Sequence, residues 1–260
     1  MIFTHIRNAT ALLDVNGMTF LIDPYLAPKG SGGVYGGEIS RGVSPLVDLP
    51  APPETIIARA DALLLTHVHE DHLDQVALDA LPRDLPVLCH SRDEAFMEGH
   101  GFTDITTIDE KTQWRGVTLT PTPATHGPEE VWHYIGGVSG YLIEAEGSPT
   151  LYLPSDTVLT DEVAQLVSRE RPDVIVTNSG GAFSKGRFGP IIMDAEQTAE
   201  ILQLAPWAEV VAVHLETTDH CTVTRHSLKD HVRQTDPTLL SRLHIPDDGE
   251  AMDLKALVAT

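Results

Sequence analysis

Cysteine is nearly missing from this chain of 260 residues: Cys89 and Cys221 are the two it has. That number supports no disulfide framework, and both read as structural thiols. No apolar run approaches the ~18 residues that a membrane-spanning helix needs. The start, Met1-Ile2-Phe3-Thr4-His5-Ile6-Arg7, lacks the basic stretch and long apolar segment of a secretion signal, so a cytoplasmic protein is expected. Basic residues are scarce as well. With 17 Lys and Arg against 38 Asp and Glu, the formal charge is −21 with His neutral, and no Lys/Arg block interrupts it. A field of that sign repels polyanions, which argues against nucleic acid as a partner and leaves a small molecule. A Gly-x-Ser-x-Gly elbow is also absent, and Ser179 in Asn178-Ser179-Gly180-Gly181 reads as a turn residue rather than a nucleophile.

What the chain does have is imidazole and carboxylate concentrated in one place. Thr66-His67-Val68-His69-Glu70-Asp71-His72-Leu73-Asp74 carries three His and an Asp within six positions. The run before it, Asp61 to Leu65, has the short apolar character of a strand buried on both faces, and Leu73 to Leu81 has helical spacing. The cluster therefore sits where a strand gives way to a helix. In extended backbone His67 and His69 point to the same side, so both can reach one ion, while the turn swings Asp71 and His72 toward a second position. Nitrogen and oxygen donors of this kind suit zinc, iron or manganese.

His67-Val68-His69-Glu70-Asp71-His72 resembles the His-x-His-x-Asp-His motif of the metallo-β-lactamase superfamily. The resemblance implies a four-layer αββα sandwich, two mixed sheets face to face with helices outside. It implies further ligands on loops after strands, and the chain offers His126 after Val117–Thr120, Asp156 after Thr150–Leu153 and His214 after Val210–Val213. Carried over by position, His67, His69 and His126 would bind one ion, Asp71, His72 and His214 the other, and Asp156 would bridge. Two divalent ions are implied, zinc first, with manganese or iron as alternatives. Because ligands run from 67 to 214, one domain over 1–260 is expected. Within the superfamily the intact motif resembles compact hydrolases similar to ascorbate-phosphate lactonases.

The expected activity is hydrolysis of a small, anionic ester, lactone or phosphodiester by a metal-bridging hydroxide. Asp71 would orient that hydroxide, and Asp71 or His220 would supply the proton for the leaving group. An iron-dependent dioxygenase or other redox enzyme on the same scaffold is the alternative.

Substrate contacts are expected from loops. Residues 27 to 53 show no periodicity and contain Lys29-Gly30-Ser31-Gly32-Gly33, a composition of flaps and surface loops; Tyr35 and Arg41 stand out there. Trp132, with His133, is expected to form a pocket wall. Lys185 and Arg187 are two cations at the presumed site edge, expected to grip a phosphate or carboxylate. Paired Gly180-Gly181 would let the backbone approach a ligand. Asn16-Gly17 predicts a tight hairpin; Pro121-Thr122-Pro123 predicts irregular backbone before His126; Ser91 and Asp194 are expected helix caps. Oligomeric state is not legible.

Overall fold

The structure is a computed structural model that describes residues 1–131, 136–184 and 187–259. Among the described residues, two seven-stranded sheets form the body. The first runs β16 (Ala251–Asp253), β1 (Ile2–Arg7), β2 (Thr10–Val15), β3 (Met18–Ile22), β4 (Ala62–Leu64), β5 (Val87–Cys89) and β6 (Ile105–Thr107). The second runs β15 (Leu243–His244), β14 (Glu209–Val213), β11 (Val174–Asn178), β10 (Leu151–Ser155), β9 (Gly140–Ala145), β8 (Val117–Thr122) and β7 (Thr112–Trp114). A small ribbon, β12 (Phe183–Ser184) with β13 (Arg187–Pro190), stands apart. Both large sheets are mixed: β3 to β6 are parallel beside an antiparallel β16-β1-β2-β3 set, and β10, β11, β14 and β15 are parallel beside antiparallel β7 to β10.

Alternation along the strands explains the layers. In β2, Ala11, Leu13 and Val15 point into the core between the sheets, whereas Leu12 packs outward. In β14, Val211 and Val213 point inward while Val210 and Ala212 meet the outer helices. Burial on both faces is why these strands read as continuous apolar runs. Helices α1 (Pro53–Ile57), α2 (Gln75–Ala80) and α3 (Ser91–Gly99) flank the first sheet, with Ile56, Ile57, Ala77, Leu78 and Met97 in its outer core. Helices α4 (Asp161–Glu170), α5 (Ala195–Leu204) and α6 (Arg225–Thr235) cover the second, through Leu166, Ile201, Leu228 and Val232. This is the αββα arrangement. No helix among the described residues is long and apolar enough to cross a membrane.

Local chemistry holds where a mechanism demanded it. Asn16 and Gly17 both take positive φ, 52° and 76°, and close the β2–β3 hairpin. Asp194 caps α5 by accepting from Gln197 N. Two expectations need correction. The cap of α3 is the His90 side chain, which accepts from Arg92 N, with Ser91 already inside the helix. And β8 continues through Pro121 to Thr122, with Pro121 opposite Tyr141 and Thr122 opposite Gly140, because a proline can sit in a strand where the ladder does not need its N–H.

Candidate metal centre

Every parallel strand that feeds the centre ends at the same edge, and the backbone leaves three of them through a left-handed residue: Asp23 (φ 44°) after β3, Ser155 (φ 61°) closing β10, and His214 (φ 59°) after β14. Such turns cost on the order of 1 kcal/mol or more each and persist where surrounding contacts over-determine them. Contacts across the edge do so. His214 N donates to Asn8 O (2.9 Å), Ser139 N to Thr66 O (3.1 Å) and Tyr141 Oη to Leu65 O (3.1 Å), tying the two sheets together around the cluster.

The seven expected ligands meet there. His67, His69 and His126 form one triad and Asp71, His72 and His214 another, the donor atoms within each lying within 4.8 Å of one another. Asp156 faces both. Its Oδ2 lies 3.2 Å from His72 Nε2, 3.5 Å from His126 Nε2 and 3.9 Å from His67 Nε2, and its Oδ1 lies 3.9 Å from His214 Nε2. Asp71 Oδ2 is 3.3 Å from His214 Nε2. His69 is half-buried and the other six are buried.

The rings are held by their outer nitrogens. His72 Nδ1 donates to Asp23 Oδ2 (2.9 Å), His126 Nδ1 to Ile191 O (2.7 Å), and His67 Nδ1 to Thr66 Oγ1 (2.9 Å), whose own hydroxyl donates to Asp23 Oδ2 (2.6 Å). With Nδ1 donating outward, each Nε2 faces inward. His67 Nε2 is buried with no hydrogen-bond partner, the state of a donor atom waiting for a cation. The residues present therefore fit a metal. Asp23, His67 and His72 make a third close set, but both Asp23 oxygens are already taken, Oδ1 by Thr66 N (2.9 Å) and Oδ2 by Thr66 and His72. Asp23 is therefore a support behind the cluster.

Charge follows this geometry. Burial, together with neighbouring imidazoles, drives the proton off His67 and brings His126 down to about 4. For His72, burial opposes protonation, but Asp156 and Asp23 outweigh it and push the ring up to about 10. His214 moves the same way beside Asp156, Cys221 and Asp71. Burial would raise the Asp71 and Asp156 carboxyls, yet the imidazoles hold both far below the usual carboxylate range.

A cavity of about 510 Å³ opens over the cluster, lined by His69, Asp71, His126, Asp156, Tyr35 and His220 among others. Asp71 and His220, the two expected proton-handling residues, thus share one space. His220 is buried, its Nδ1 has no hydrogen-bond partner and lies 4.0 Å from Asp219 Oδ1, and burial lowers its pKa. Tyr35 sits edge-on to His220, ring centroids 5.4 Å apart, and its Oη is 3.5 Å from Glu70 Oε2. Arg41 is engaged elsewhere, donating to Thr218 O (3.3 Å). Trp132, His133 and Lys185 lie outside the described residues, and of Arg187 only the backbone, in β13, is described.

Other residues escaped the sequence reading. Asp219 accepts from Tyr35 N, Gly36 N and Ser44 Oγ, each at 2.9 Å, and so pins the 27–53 segment beside the cavity. Arg7, fully buried, anchors both ends of that segment through Tyr25 O, Ala27 O and Val47 O. Asn178 donates to Asp156 Oδ1 (2.6 Å), and Asn8 donates to Asp71 O (2.9 Å). Cys221 Sγ is 3.5 Å from His214 Nδ1. Gly180 serves a different purpose from the one expected: a Cβ there would stand 2.2 Å from His214 O and 2.5 Å from Cys221 Sγ, so its missing side chain lets the chain pass behind a ligand residue rather than toward a substrate.

Two mixed sheets with a His/Asp cluster at their shared edge define the metallo-β-lactamase class of fold. The chain belongs to the β-lactamase superfamily, whose domain model matches residues 18–215. It is 32% identical over 254 residues to UPF0173 protein YddR of Bacillus subtilis, covering 96% of this chain and 99% of that one. It is 28% identical over 198 residues to a UPF0173 metal-dependent hydrolase of Azorhizobium caulinodans, 72% of this chain and 76% of that one. Among solved structures, isothiocyanate hydrolase from Delia radicum gut bacteria superposes with a TM-score of 0.90 at 33% identity, covering 97% of this chain and 99% of that one. The chain is a metal-dependent hydrolase by these relationships.

Proposed function

We propose that this hydrolase works through two divalent ions, zinc first among them, on a small uncharged electrophile. His67, His69 and His126 would hold one ion, Asp71, His72 and His214 the other, with Asp156 shared. The observation that carries this reading is the reach of Asp156 to both triads, Oδ2 toward His126 (3.5 Å) and Oδ1 toward His214 (3.9 Å). When bound, two such cations polarise the substrate and lower the pKa of a shared water toward ~7.

The chain's own groups supply orientation. Asp71, held ionised, accepts a hydrogen bond from the attacking water. His220, kept neutral by burial, donates one to the atom that gains negative charge. Val34, Phe183 and Ile191 give the cavity apolar walls, and no Lys or Arg is among its described lining residues. That lining supports an uncharged substrate; Lys185 and the Arg187 side chain, on which the anionic expectation rested, lie outside the described residues. Isothiocyanates, which the relative from Delia radicum gut bacteria hydrolyses, have this character. Water adds to the central carbon of R–N=C=S, the C–N bond breaks, and the products are R–NH₂ and carbonyl sulfide.

The test is a panel of isothiocyanates, esters, lactones, thioesters and phosphodiesters, run with defined metal loading and again after chelation. Chelator-sensitive turnover led by uncharged substrates is expected. A preference for phosphodiesters, or turnover that survives complete metal removal, overturns the reading.

A further inference from the structure

Beyond the cavity over the cluster lies a second, of about 570 Å³, between the 27–53 segment and helices α2 and α3. Its size falls within the roughly 300–1,000 Å³ of small-molecule sites. Tyr35 and Glu70 line both cavities, so the two adjoin at that pair, whose side chains meet at 3.5 Å. The motif itself sets this up: in the run His67-Val68-His69-Glu70, His69 lines the first space and Val68 the second, as alternation along extended chain requires.

The second cavity has an apolar floor. Leu73 and Leu78 are buried, Val68 and Val76 half-buried, and Phe96 is 36% exposed, one of the few large apolar side chains left open to solvent. Of its two carboxylates, Asp74 is already occupied by the N–H groups of Ala27 and Ala77, and Glu70 meets the Tyr35 hydroxyl at the boundary with the first cavity. No Lys or Arg lines it among the described residues. Building on the hydrolase reading above, we propose that this cavity is a subsite for the unbranched apolar tail of an uncharged substrate. The electrophilic carbon then sits at the cluster, and the tail runs alongside the Tyr35–Glu70 contact to cover Val76 and Phe96.

Two measurements on the metal-loaded protein test it: turnover of n-alkyl isothiocyanates from ethyl to octyl, and calorimetric binding of N-alkylacetamides of the same lengths, with amine release monitored so that binding is read without turnover. In the wild type each added methylene should tighten amide binding about three- to fourfold once the tail enters the second cavity. Val76→Trp should flatten that dependence, and Phe96→Ser, at a solvent-exposed position, should weaken only the longest members. Thermal melts and metal content report whether each variant is folded. If turnover of isothiocyanates is absent but the amide dependence stands and responds to both variants, the substrate reading fails and the subsite survives. A wild type indifferent to chain length, or a dependence that persists unchanged in both variants, overturns the subsite.

Discussion

Asp23 Oδ2 accepts a hydrogen bond from His72 Nδ1 at 2.9 Å, on the opposite edge of the ring from Asp156, so one imidazole is clamped between two carboxylates. The same Asp23 also takes the N–H and hydroxyl of Thr66, which in turn steadies His67. One side chain thus orients a member of each triad.

Asp23→Ala should therefore weaken metal binding by roughly 10–100-fold, the usual effect of losing such a support. Competition against a chromophoric chelator measures it. Affinity equal to wild type would show that the two rings are held without Asp23.

His69→Ala removes a donor from the first triad only. Metal content should fall from two ions per chain toward one, and turnover should drop by more than the ~10–100-fold of a supporting residue. A variant that kept full metal content and full turnover would remove His69 from the ligand set.

The positions that meet at the centre were legible because His67, Asp156 and His214 stand just beyond an apolar strand's end, and chemistry at the carboxyl ends of strands leaves that mark in sequence. Asp156 after Leu151–Ser155 and His214 after Glu209–Val213 are such cases. The supports left no such mark. Asn8, Asn178 and Thr66 are common polar residues whose task depends on which loop lies opposite, and that is set by how β1, β4 and β11 assemble across two sheets. Strand β1 itself, Ile2–Arg7, carries His5 and Arg7 among its apolar residues, and both are buried and bonded to distant backbone carbonyls, His5 to Asp247 O and Arg7 to Tyr25 O. Asp219 lay one residue from His220 and still gave no signal, since its partners are backbone N–H groups more than 180 positions away.

Asp219 offers its own test. Burial would raise its carboxyl, but hydrogen bonds from Ser40, Tyr35, Gly36 and Ser44 hold it below the usual range, so it stays ionised and keeps its grip. Asp219→Ala releases Tyr35 and Gly36, and the melting temperature should fall by roughly 2–6 °C. Proteolytic nicking within 27–53 should become faster, with KM raised more than kcat is lowered. Unchanged nicking would mean that Arg7 alone secures the segment.

His220 touches the cavity but lies outside both triads. His220→Ala should leave metal content intact and lower kcat by roughly 10²–10³-fold, the scale of losing one donor to a developing charge. His220→Gln, which keeps an N–H, should recover part of that loss. An alanine variant with wild-type kcat would leave Asp71 as the only proton-handling side chain in the reading.

Four imidazoles of the cluster titrate in opposite directions, and this gives the metal-free protein a distinctive pH profile. His72, pushed up to about 10, and His214, raised likewise, bind protons more tightly when folded than the ordinary 6.5. Their stabilisation is complete below about pH 6.5 and is lost as pH rises through the folded value. His126, down at about 4, and His67, lowered further, are neutral in the fold and protonated once unfolded below about 6.5, so they withdraw stability as pH falls. Melting of the metal-free protein should therefore peak near pH 6–7 and decline on both sides. Metal must displace the protons on His72 and His214, so its affinity should rise with pH across neutrality, and the alkaline decline should vanish in the loaded protein. Melting curves taken with and without metal from pH 5 to 10 decide the matter, and an alkaline limb that is the same in both would show that these two rings do not exchange a proton for the ion.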